Sequence, residues 1–93
     1  MDNKAIYVWV FNGSSSRFPS GIFSSKARAE SWISTNRLSG ILTRYPLDEG
    51  VLDWAIKQGL FFPKKSRERE PEFIQKFTSG SQEHYHYEDG KLD

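Results

Sequence analysis

Residues 5–12 read "AIYVWVFN", and the fold turns on them. β-Branched and aromatic side chains suit the pleated, half-buried surface of a strand. Alternation puts Ile6, Val8 and Val10 on one face and Tyr7, Trp9 and Phe11 on the other. Both sets are apolar, which predicts a central strand covered on each side. Downstream, the Asn-Gly step and serines of "NGSSSR" (12–17) predict a turn. "FPSGIF" (18–23) then returns as a short strand, and Pro19, which cannot donate to a ladder, places it at a sheet edge.

Further along, "SSKARAESWISTN" (24–36) predicts a helix. Ser24 or Ser25 can accept from its free N–H groups. Ala29, Trp32 and Ile33 fall at i, i+3 and i+4 on one face, with Trp32 expected in the core. "GILTRYP" (40–46) alternates and stops at Pro46, as a strand would. Asp48 is expected to cap a second helix running to Gln58. Val51, Leu52, Ala55 and Ile56 form its buried side, and Gly59 sits where a left-handed residue ends it. "LFFPKKSREREP" (60–71) reads as a loop. "EFIQKFTSGSQEHYHYED" (72–89) divides at Ser79-Gly80-Ser81 into two β-like runs, a hairpin. A helix over 71–78 opened by Pro71 is the competing reading. The expected fold is α+β: a single small domain over 1–93, ordered from about 5 to 90, in the order ββαβαββ. Two helices pack on a mainly antiparallel sheet.

Bulk composition removes several function classes. The chain has 93 residues, with 13 Lys and Arg against 12 Asp and Glu. That balance raises no strong field toward nucleic acid or an anionic membrane. There is no cysteine, so disulfides and thiolate metal sites are excluded and a reducing compartment is expected. The apolar run Ala5–Phe11 is too short to span a bilayer. Asp2 stands where a signal peptide would be basic, so a cytoplasmic location is expected.

Both histidines lie in "EHYHYEDG" (83–90). On a strand, His84, His86 and Glu88 share one face, and Tyr85 and Tyr87 the other. Two imidazoles and a carboxylate form a ligand set used by zinc and non-haem iron. However, same-face neighbours on a strand lie roughly 7 Å apart and form a line, not a cap. A closed site would need the histidines to converge and a carboxylate such as Asp48, Asp53 or Glu30 to join them. The plainer reading is a strand with its tyrosines on the core and its polar face in solvent. A partner contact or an acid–base role for a histidine comes behind it.

Other candidates weigh less. The Gly- and Ser-rich "FNGSSSRFPSG" (11–21) lacks phosphate-loop spacing and does not open a helix, so a hairpin connection explains it better. In "KKSREREPE" (64–72), Lys64, Lys65, Arg67 and Arg69 are interleaved with Glu68, Glu70 and Glu72, which cancel the field a nucleic acid would need. Trp54 lies one step from the buried stripe of the second helix. It is the first choice for an exposed aromatic anchor.

Taken together, "YVWVFNG", "RFPSGIFSS…AESWI", "LSGILTRYPLDEGVLDWAI" and "EHYHYEDG" resemble a family of small bacterial proteins catalogued only as a domain of unknown function. The likeness runs from about Tyr7 to Gly90. It implies a compact protein without an established activity, cofactor or catalytic residue. Proteins of this size and style resemble immunity proteins and other accessory factors of bacterial competition.

The leading expectation is therefore a non-enzymatic, cytoplasmic protein-binding module of immunity or adaptor type, with no cofactor and no catalytic residue. Its partner is a protein, met by Trp54 as apolar anchor and by His84, His86, Glu88 and Arg17 as polar contacts. A monomer and a homodimer through an open sheet edge fit equally. The alternative is a small metal- or ligand-binding protein using His84 and His86.

Overall fold

The computed structural model describes residues 6–93. The expected strand start at Ala5 and the signal-peptide argument at Asp2 lie outside the described residues. The chain forms two compact units, one of residues up to Leu47 with Gln82–Asp93, the other Asp48–Ser81.

The first unit is a five-stranded antiparallel sheet with one helix. Its elements are β1 (Tyr7–Gly13), β2 (Gly21–Phe23), α1 (Lys26–Thr35), β3 (Gly40–Pro46), β4 (His84–Glu88) and β5 (Lys91–Leu92). The strand order is β2-β1-β3-β4-β5. Every pairing is antiparallel, and β2 is an edge strand, as Pro19 predicted. Register fixes the faces. Phe11 pairs with Leu42, Leu42 with Tyr85 and Gly40 with Tyr87, so these side chains share a face with Trp9. Ala29 and Ile33 of α1 join Trp9, Phe11, Leu42 and Tyr87 in one buried cluster. Burying a side chain the size of Leu or Phe stabilises the fold by about 1.5–3 kcal/mol, so this cluster is the unit's main source of stability.

Local signals explain where α1 starts and stops. The Ser25 side chain accepts from the Arg28 N–H at 3.2 Å, as the capping expectation had it. At the other end Arg37 adopts φ 54°, and Leu38 N–H reaches back to Ile33 O at 3.0 Å. This six-residue closure returns the chain toward β3. Trp32 is half-buried, against the full burial expected. Its ring packs edge-on to Phe11 and tilted on Phe23, and Phe23 belongs to an edge strand that leaves its outer side open.

Gly40 opens β3 with φ 157°, and a Cβ there would sit 2.3 Å from the Asn12 carbonyl oxygen and 2.7 Å from the Phe11 ring. Only glycine lets β3 approach β1 this closely. β5 was not anticipated. It follows a turn in which Asp89 has φ 54° and Gly90 φ 83°, the left-handed pair that an Asp-Gly hairpin turn needs.

The second unit holds α2 (Val51–Lys57), a 3-10 turn (Ser66–Arg69) and α3 (Pro71–Ile74). Here two expectations are corrected. Asp48 does not cap α2: it takes a left-handed φ of 62°, and Gly50 stands at the N-cap without a side-chain bond. Residues 71–78 do not form a strand. Pro71 opens a helical turn, its fixed φ suiting the first position, and Phe73 and Phe77 both turn onto Phe61 at ring separations of 5.8 and 5.0 Å. The five strands and two longer helices keep the expected α+β order, but the 3-10 turn and α3 are added after α2, and the last two strands are β4 and β5 in place of the expected hairpin over 72–89. Gly59 ends α2 with φ 72° as predicted, and Leu60 N–H bonds Ala55 O at 2.8 Å. Among the described residues no helix is long and apolar enough to cross a membrane.

Candidate functional site

The helix of the sheet unit covers one face of the sheet. Register puts Val8, Val10, Ile22, Ile41, His84 and His86 on the other. Strand 5–12 was expected to be covered on both sides, but the Ile6–Val8–Val10 side is only partly so. Val8 and Val10 are half-buried. Ile6 and Ile22 are 65% and 67% exposed, and Ile41 is 39% exposed. This open face is the main candidate site: aliphatic at Val8, Val10, Ile22 and Ile41, interrupted by Asn12, Thr43 and Tyr45, and histidine-bearing toward β4.

β4 carries its histidines as the alternation predicted, with His84 and His86 exposed and Tyr87 buried on the far side. The His84 and His86 ring centres lie 5.8 Å apart at 71°, closer than the roughly 7 Å that strand geometry sets between their backbones. His84 Nδ1 lies 2.7 Å from the Gln82 carbonyl oxygen. A carbonyl only accepts, so Nδ1 donates, which in the neutral imidazole leaves the lone pair on Nε2. The carbonyl itself is firmly placed, since Gln82 is buried and its side-chain amide donates to Arg44 O at 3.2 Å.

The other predicted residues do not all gather here. Glu88 continues the face at the end of β4, where register sets Lys91 opposite it. Arg17 lies in the β1–β2 loop, exposed, its guanidinium 5.8 Å from the Phe18 ring centre. Trp54 belongs to the second unit and is only 5% exposed. The expected exposed anchor is therefore corrected: its helix buries Leu52, Trp54 and Ala55, while Val51 and Ile56 of the expected buried side are half-buried. Glu30 is not available as a third ligand. It is on α1, bonded to the Tyr87 hydroxyl at 2.6 Å, on the covered face. Among the described residues no group of three His, Cys, Asp or Glu could hold a metal ion.

The titratable groups with shifted affinities for protons all have structural partners. Burial pushes the Tyr87 phenol well above its ordinary value, and its bond to Glu30 adds to that. Tyr85 is raised through its hydrogen bond to Glu83. Glu68 is lowered because the backbone N–H groups of Lys65 and Lys64 both donate to it. That bond folds the basic-acidic stretch into a 3-10 turn, so Glu68 acts there as a local clasp.

The second unit offers a lesser candidate, missed in the sequence. A cavity of about 650 Å³ is floored by Phe73 and Phe77 and rimmed by Arg67, Glu70, Glu72 and Lys76. The signal was the i, i+4 spacing of Phe73 and Phe77, which a strand reading discards. Its rim carries equal charge of both signs, and Lys76 is already paired with Glu72 at 2.6 Å.

Over residues 8–93 the chain matches the family described as Domain of unknown function (DUF7710), and it belongs to that family. No curated protein and no solved structure matches it.

Proposed function

We propose that the chain is a bacterial, cytoplasmic, non-enzymatic protein-binding module of immunity or adaptor type, whose docking surface is the open face of the sheet. The observation carrying this reading is the exposure of Ile22 and Ile41 on strands whose alternate residues form the core. Solvated sheet faces ordinarily carry polar side chains, and a surface joining aliphatic groups to imidazoles has the mixed composition of a protein interface. His84 and His86 add directional hydrogen bonds at one margin, with Glu88 beyond them. Arg17, exposed in the β1–β2 loop, is taken as a further polar contact.

The test is capture from bacterial lysate with a non-histidine tag, comparing wild type with an Ile22→Glu/Ile41→Glu variant and an Arg28→Glu variant on the exposed side of α1. A partner recovered at near-equal amounts, lost with the first variant and kept with the second, supports the proposal. A partner indifferent to charges on the open face overturns it. Unchanged melting of both variants is expected, since all three positions are exposed.

A further inference from the structure

Three same-face residues in a row were expected to form a line and not a cap, with a closed site needing the two histidines to converge. Their ring centres do lie closer than the roughly 7 Å between their backbones. Imidazoles bound at about 2.1 Å to one tetrahedral ion have ring centres roughly 5 Å apart. The 5.8 Å observed leaves less than about 1 Å to close. His84 is already prepared for this. Its Nδ1–H is spent on the Gln82 carbonyl, which turns the lone pair to Nε2 and holds the ring. Metal-bound imidazoles are commonly oriented by such an outer bond. His86 is exposed, so its ring can turn to complete the pair.

We infer that His84 and His86 form a two-imidazole chelate for a borderline divalent cation of the zinc-to-copper series, held on the surface of β4. Imidazole donors select these ions over magnesium or calcium. Glu88 lies a further step along the strand, and among the described residues no third His, Cys, Asp or Glu joins the pair as a ligand. Two protein ligands leave the remaining coordination positions to water or to a donor from another molecule, so the site binds without enclosing. It stands independently of the protein-docking reading, and either can fail alone.

The test titrates tag-free protein with zinc chloride by calorimetry while following the imidazole proton resonances. One ion per chain is expected, with both imidazoles shifting together. His84→Ala and His86→Ala each weaken binding by about tenfold or more, whereas Glu88→Gln leaves it within about twofold. Wild-type affinity in either alanine variant would mean a single-imidazole contact and would overturn the chelate. So would a titration to millimolar zinc that moves neither ring. A large loss in Glu88→Gln would replace the two-ligand geometry with another. The paired resonance shift is read on unmutated protein, so it does not depend on how the variants fold.

Discussion

The two faces of the sheet are built by the same five strands and share one backbone, yet they serve opposite ends. Under α1, Trp9, Phe11, Leu42 and Tyr87 are sealed with Ala29 and Ile33. One residue along each strand, Ile22, Ile41, His84 and His86 meet solvent. A strand reverses face at every residue, so a change of one position decides whether a substitution acts on stability or on what the surface can bind. The same contrast explains why apolar content alone misleads: Val8 and Trp9 are neighbours, but only Trp9 is locked into the core.

Substitutions that test this contrast should fall in a steep order. Gly40→Val is expected to cost about 4 kcal/mol or more, because its Cβ would meet the Asn12 carbonyl of β1, an interior strand paired on both sides. Chemical denaturation reads this loss, and a fully folded variant would mean that β1 and β3 can separate. Leu42→Ala should cost about 3 kcal/mol from lost burial and the cavity left behind, seen as a lower denaturation midpoint with an unchanged slope.

Tyr87→Phe is smaller, at about 1 kcal/mol for the bond to Glu30, and it also has a pH signature. The phenol is raised above its unfolded value of about 10. Its contribution is therefore complete below pH 10 and is lost as the pH climbs past that point. The variant should flatten the alkaline fall in stability, and an identical fall in both proteins would place its cause elsewhere. At the bottom of the order, Ile22→Ser should change stability by no more than about 0.5 kcal/mol. A loss comparable to Leu42→Ala would show that the open face is structurally required and erase the distinction between the two.

Much of this architecture was legible because local chemistry and tertiary need agree. β3 was read to its ends because Gly40 and Pro46 bound an alternating run, α1 because Ser25 precedes an apolar i, i+4 pair, and the end of α2 because Gly59 can take a left-handed conformation. Residues 71–78 misled because "EFIQKF" satisfies a strand and a helix alike, and only the Phe61 ring beneath Phe73 and Phe77 decides between them. Asp48 misled because a residue fit to cap is also one of the few that tolerate φ of 62°. For the candidate site, alternation correctly put the histidines on one face. Their lean was not legible, since it depends on a carbonyl fixed by Gln82. The exposed isoleucines were hidden in the sequence too, because nothing local says which apolar face of a strand the helix will choose.

The three indoles give the molecule its own optical reporters. Trp9 and Trp54 are both buried, one in each compact unit, while Trp32 is partly solvated. Emission from a Trp32→Phe/Trp54→Phe protein therefore tracks the environment of the sheet unit alone, and a Trp9→Phe/Trp32→Phe protein that of Trp54. Coincident red shifts on heating would identify a single cooperative transition. Separated ones would mean that the segment between β3 and β4 can come apart while the sheet keeps its form, giving this small chain a second melting event visible without any label.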